Sequence, residues 1–326
     1  MNIVALFFQL FSGLKQETMR ISNLFKFFSL LFILTVPYTA TEGSTFTAGH
    51  IFTSNYFSNA INYYQNDGTY VDSFTVPSIY GKDVKGVAFG PDGLLYAVTS
   101  TGTSGFNVLA MDSSGAVKKT YFGTSYVAGN LSSGKITFGE NGDFFVAGGN
   151  SLTAFTPTNA SGSIIYNNNQ VFDATNLPNG NLLVLSAYDL HEITPVGSVV
   201  RALTSAYIVD GRGLAYDATT NSIYVSMLGF TNNYDQLMRL NGKTGALENS
   251  TVYWYGDDIM LTADNRVIVG SRTLAPGIFD LDLNYLGTLG TKQQMFVAQV
   301  PVPLPSAIWL ICTGLLGLLG LNRSQL

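Results

Sequence analysis

Cysteine is nearly missing from this chain: Cys312 is the only one in 326 residues. A single thiol makes no intrachain disulfide and rules out the multi-cysteine sites that hold structural zinc. Histidine is almost as scarce. His50 and His191 stand far apart, without companions at ligand spacing, so each reads as a strand or surface residue rather than a metal ligand. Charge is thin too, at 11% of residues against roughly 25% in an ordinary soluble domain. The net charge of −5 provides no basic face for phosphates, which excludes nucleic acid as a partner. A sustained 3.6-residue apolar period is also lacking outside the two ends, so very little helix is expected.

What the chain does have is apolar and aromatic residues, at 46% and 13%, enough for a large core. Solvent positions fall to Ser, Thr, Asn, Gly and Tyr, a mix common on extracellular β-rich surfaces. The body repeats itself. "VKGVAFGPDGLLYAVTS" from Val84, "SGKITFGENGDFFVAGG" from Ser133, "VFDATNLPNGNLLVLSA" from Val171, "GRGLAYDATTNSIYVSM" from Gly211 and "GDDIMLTADNRVIVGSR" from Gly256 share one pattern. In each, a small or apolar strand meets an Asp/Asn/Gly turn and then a β-rich apolar strand. Asp92-Gly93, Asn141-Gly142 and Asn179-Gly180 read as two-residue hairpin turns with positive φ at both central positions. A third strand and another turn follow each unit, giving four short antiparallel strands, which is a propeller blade.

Ahead of the first unit, "HIFTSNYFSNAINYYQNDGTYVDSFTV" supplies three outer strands without an innermost one; after the last, "QQMFVAQV" supplies a lone strand. Joining them closes the ring and removes exposed sheet edges. The expectation is an all-β, six-bladed β-propeller over residues 41–300, with five and seven blades as the alternatives that uneven blade lengths leave open. At "GVAFGPDGLLYAV" and its echoes, from about Ala48 to Val300, the chain resembles the NHL-like and gluconolactonase-like β-propellers.

Aligning the units places Lys85, Gly134, Phe172, Arg212 and Asp257 at one level of the innermost strands, and Gly86, Lys135, Asp173, Gly213 and Asp258 at the next. Ligands are expected at the channel mouth where these strands begin. Lys85, Lys135, Asp173, Arg212, Asp257 and Asp258 are therefore the candidate ligand-binding residues. The gluconolactonase-like resemblance implies a divalent cation held there by converging oxygens, and Asp173, Asp257 and Asp258 are the available donors for Ca²⁺ or a similar ion. The family's early Glu and paired Asn ligands have no match here, and Lys85, Lys135 and Arg212 bring positive charge to the same ring. Two further readings of the cluster are rim charges pairing with one another, which contributes little, and a polar ligand held at the mouth. His191, in "YDLHEITP", falls on a third strand, away from the channel. Tyr56, Tyr63, Tyr64 and Tyr70 read either as packing between blades or as a sugar-stacking face.

The two ends carry the long hydrophobic runs. Met19 begins "MRISNLFKFFSLLFILTVPYTA", a basic start and a short apolar stretch that suit a secretory signal; residues 1–40 form the signal region, with Met19 as a candidate working start. At the other end, prolines lead into an apolar run over residues 307–321, shorter than a plain membrane span. "VPLPSAIWLICTGLLGLLGLNR" looks like the VPLPA variety of PEP-CTERM sorting signal, carried by Val302, Pro303, Leu304, Pro305 and Arg323. Ser306 stands where that pattern has Ala, and one Arg replaces its basic pair. The resemblance implies an exported protein of a Gram-negative bacterium. Residues 301–326 would anchor it in the inner membrane by a transmembrane helix, an exosortase-type enzyme would process it, and its destination would be the cell surface or extracellular matrix.

The sequence thus reads as an exported propeller with a non-catalytic binding or scaffolding role in the envelope or exopolysaccharide matrix. That role needs no cofactor and leaves room for a polysaccharide or other surface ligand. The alternative is a metal-dependent hydrolase or lactonase of the gluconolactonase-like class.

Overall fold

The computed structural model describes residues 46–301, apart from 56, 102–104, 125–133, 140, 169, 204–207 and 229–234. The signal region with Met19, the sorting motif, the residue 307–321 run, Cys312 and Tyr56 all lie outside the described residues. No helix among the described residues is long and apolar enough to cross a membrane.

Among the described residues, twenty-four strands form six four-stranded antiparallel sheets. Blade 1 comprises β4 (Lys82–Phe89), β5 (Leu95–Ser100), β6 (Phe106–Met111) and β7 (Val117–Gly123). Blade 2 comprises β8 (Lys135–Phe138), β9 (Phe144–Gly148), β10 (Ser151–Phe155) and β11 (Ser163–Asn167). Blade 3 comprises β12 (Val171–Asn176), β13 (Leu182–Ser186), β14 (Leu190–Ile193) and β15 (Val199–Ala202). Blade 4 comprises β16 (Gly211–Asp217), β17 (Ser222–Met227), β18 (Gln236–Asn241) and β19 (Leu247–Val252). Blade 5 comprises β20 (Gly256–Leu261), β21 (Arg266–Ser271), β22 (Gly277–Asp280) and β23 (Tyr285–Thr288). Blade 6 is shared between the two ends of the body: β24 (Phe296–Gln299) pairs with β1 (Ile51–Ser54), which continues to β2 (Ala60–Tyr64) and β3 (Tyr70–Thr75). Each innermost strand touches the innermost strands of both neighbouring blades, β24 touching β20 and β4, so the ring is closed.

Burial explains why the second strands look so apolar. β5, "LYAVTS", and β13, "LLVLS", are buried along their whole length, because both faces of a blade pack on a neighbour. The outermost strands β3 and β15 stay largely open to solvent. Six apolar clusters fill the ring, one between each pair of adjacent blades. Between blades 1 and 2, for example, Phe144 stacks on Phe155 with ring centroids 4.7 Å apart, and Tyr121 meets Phe144 edge-on at 4.9 Å.

The hairpin turns differ from expectation. Gly93, Gly142 and Gly180 have φ of 77°, 79° and 81°, but Asp92, Asn141 and Asn179 do not share the positive φ. Gly93 N–H donates to Gly90 O at 3.0 Å and Gly180 N–H to Leu177 O at 3.0 Å, closing four-residue turns with Pro91 and Pro178 in second place. Proline has no N–H to donate to its partner across a two-residue loop, which disfavours the mirror-image turn at those two positions. The chain instead makes a three-residue loop that ends in a left-handed glycine.

Candidate functional site

The innermost strands all begin at one end of the ring, here the upper end, and finish at the lower end. Near the upper end, four of them carry a β-bulge at the same place. Lys85, Phe172, Arg212 and Asp257 are each the extra residue between two paired positions of their strand. A bulge re-aims its side chain, and these four occupy the level at which the repeats align. Gly134 holds that level in blade 2 with φ of 106°.

The six candidate residues come together, but as an interior cluster and not as an open rim. Lys85, Lys135, Asp173, Arg212, Asp257 and Asp258 are all at most 8% exposed. Lys135 Nζ lies 3.2 Å from Asp173 Oδ2 and 3.4 Å from Asp258 Oδ1. It also donates to the backbone oxygens of Arg212, at 2.5 Å, and Asp257. Three N–H donors from blade 2 thus meet four oxygens from blades 3, 4 and 5. Asp173 accepts from the backbone N–H of Ala174 (2.8 Å) and Leu214 (2.7 Å), and Asp258 from Ile259 (2.9 Å) and Val297 (3.0 Å). Burial raises both carboxyls above the ordinary aspartate value, and the Lys135 ammonium opposes that rise.

The remaining charges are handled by other partners. Arg212 Nη2 meets the carboxylate of Asp210 at 2.7 Å, and its guanidinium lies 4.2 Å from the centre of the Phe172 ring. Asp257 accepts from Arg272 through Nη2, Nε (3.0 Å) and the backbone N–H (3.1 Å). Burial pushes Lys85 down to about 7. The predicted donor set is therefore not assembled: Asp173 and Asp258 share a lysine while Asp257 faces Arg272. No group of three or more His, Cys, Asp or Glu side chains able to hold a metal occurs among the described residues. Weak rim pairing does not describe this cluster either, because a buried ion pair gains and loses far more than an exposed one.

Below the ammonium lies a cavity of 290 Å³. Lys135, Asp173 and Asp258 form its roof, apolar side chains such as Val87, Ile136 and Ile259 its walls, and the lining runs to Gln299 and Pro301 at the lower end. The cavity thus lies on the opposite side of the charge cluster from the mouth expected at the strand beginnings.

Arg272 and Asp210, the partners that neutralise the bulge residues, were not evident from the repeats. They sit just after β21 and just before β16: Arg272 is the last residue of the fifth repeat, where the other units carry no arginine, and Asp210 immediately precedes the fourth. His191 lies on the third strand β14, as expected, and hydrogen-bonds Tyr166. Of the blade 6 tyrosines, Tyr64 is buried, Tyr63 stacks on Phe52 at 5.0 Å and Tyr70 is exposed. Packing accounts for the first two.

The chain is a six-bladed β-propeller, and known structures share that architecture. No protein-family model matches the chain, and no curated protein matches it in sequence. A chain of a nidogen–laminin complex is similar at a TM-score of 0.59 and 12% identity, over 77% of this chain and 98% of that one. A protein of unknown function from Bacteroides caccae is similar at 0.57 and 12%, over 78% and 99%. The WD40 propeller domain of Doa1 is similar at 0.53 and 12%, over 78% and 79%. Likeness at this identity establishes the fold alone.

Proposed function

We propose that this protein is an exported propeller that serves as a non-catalytic binding or scaffolding module of the envelope or exopolysaccharide matrix of a Gram-negative bacterium. The observation that supports the non-catalytic part is the position of Lys135. Where a hydrolase of the gluconolactonase-like kind would hold a divalent cation, two axial carboxylates already share an internal ammonium. Destination rests on the two ends of the sequence: a secretory signal in residues 1–40, then Val302-Pro303-Leu304-Pro305, the apolar run and Arg323. In this reading the tail holds the exported chain in the inner membrane until an exosortase-type enzyme removes it.

The test is fractionation of cells that express the full chain in a Gram-negative host with and without its exosortase. The expected result is a membrane-bound, full-length chain without the enzyme and a C-terminally shortened, released chain with it. The same length and location in both hosts would overturn the sorting assignment.

A further inference from the structure

The two ends of the ring differ in chemistry. The described body begins and finishes at the lower end, where Gly49 N–H donates to Val300 O at 3.1 Å and Val300 N–H to His50 O at 2.9 Å. Connections at that end expose the carboxylates Asp67, Asp92, Asp264 and Asp282. Among the described residues their only exposed large apolar side chain is Val196. The upper-end connections reverse this pattern. They expose Phe57 (70%), Tyr188 (66%), Trp254 (51%) and Tyr255, with the aliphatic Ile79, Val209 and Leu274. Among their described residues the one exposed charge is Lys292, and Lys82, the first residue of β4, is exposed at the same end.

Part of this upper surface is a continuous built strip across blades 4, 5 and 6. Ser271 Oγ donates to Trp254 O at 3.0 Å and accepts from Leu274 N–H at 3.2 Å. Gln293 Nε2 donates to Thr273 O at 3.1 Å, Asn55 Nδ2 to Gln293 O at 3.2 Å, and Phe57 N–H to Asn55 Oδ1 at 3.2 Å. The backbone at the exposed Trp254 and Phe57 is therefore tied into one network of uncharged amides and hydroxyls.

We infer that this upper face is a docking surface for an uncharged polysaccharide, with Trp254 and Phe57 as stacking platforms and Asn55 and Gln293 as hydrogen-bonding groups. Aromatic faces suit the apolar C–H face of a sugar ring, while amides suit its hydroxyls. The scarcity of exposed charge matches a neutral glycan: an anionic polymer would find two lysines, Lys82 and Lys292, on a protein of net charge −5, and a polycation would find no exposed carboxylate among the described residues of these connections. The inference rests on the binding reading above and is independent of the tail's sorting.

Affinity electrophoresis of the detergent-solubilised full chain tests it, with hydroxyethylcellulose and galactomannan as neutral probes and alginate as the anionic one. Retardation is expected in at least one neutral gel and not in alginate. The pair Trp254→Ala and Phe57→Ala should weaken it about tenfold, the size expected for two lost ring contacts. Trp254→Tyr should retain most of it, and Tyr285→Ala, which removes an exposed ring on outer strand β23, should leave it unchanged. Several outcomes would overturn the inference: no neutral retardation, equal retardation in alginate, an equal loss from Tyr285→Ala, or sedimentation showing that the strip pairs two copies of the chain. Because binding is read on purified protein, failure here leaves the sorting result standing, and failure of sorting leaves this result standing.

Discussion

Lys135 is the residue on which the axis depends. Its ammonium neutralises two carboxylates that are nearly cut off from water, and removing one member of such a group strands the others. Lys135→Met should therefore cost about 3–5 kcal/mol in denaturant unfolding at neutral pH, with most of the loss recovered when Asp173→Asn and Asp258→Asn are added. The pH dependence follows from the same burial. Asp173 and Asp258 have raised folded-state values, so the native state binds more protons than the unfolded chain, and stability falls as pH climbs above the ordinary aspartate range. Lys85 is held down to about 7 from 10.5, so its contribution has the opposite course: present in full above 10.5, lost as pH falls through about 7. Unfolding measured from pH 5 to 10 should show a decline towards neutrality and a recovery above it. Lys85→Met should remove the recovery and leave the decline.

At the scale of the strand, glycine marks where blades crowd together. A Cβ on Gly86 would meet the carbonyl of Gly134 in the next blade, and one on Gly134 would come within 2.6 Å of Lys85 Cβ. Gly93 has nothing within 4 Å of its would-be Cβ and only its positive φ to protect. Gly93→Ala should thus cost about 1 kcal/mol, and Gly86→Ala clearly more, in denaturant midpoints of the two variants. Much of this level was readable in the sequence. Short apolar runs with turn residues between them dictate antiparallel strands, and aligning them on their turns put Lys85, Phe172, Arg212 and Asp257 at one height, where the structure places four equivalent bulges. The bulges themselves were hidden, because an extra residue leaves no mark in a two-residue alternation until the partner strand fixes the register. Turn type was misread because the Asp/Asn-Gly pair carries the hairpin signal, whereas in all three turns the glycine N–H closes on the carbonyl three residues back, with Pro91 and Pro178 leading the loop in two of them.

For the whole molecule, closure is the device that matters. β24 supplies blade 6 with its innermost strand, and Val297 N–H also binds Asp258 of blade 5 at 3.0 Å. Val297→Pro removes that donor and breaks the joining strand. It should cost at least as much as a large-to-small core substitution, about 2–5 kcal/mol, while Val71→Pro on exposed outer strand β3 should cost far less; thermal unfolding followed by circular dichroism separates them. The split blade was legible because both fragments keep the strand pattern of complete units. The pairing of axial charges was not, since it joins blades 2, 3, 4 and 5 at separations no local pattern encodes. That pairing carries the central claim, that the axis is neutralised by the protein's own lysine. Thermal unfolding of the full chain in EDTA and in millimolar Ca²⁺, Mn²⁺ or Zn²⁺ tests it most directly, because an ion that binds only the folded state must raise its stability. The account predicts one melting temperature in all four solutions; a saturable, ion-dependent rise that Asp173→Asn abolishes would contradict it.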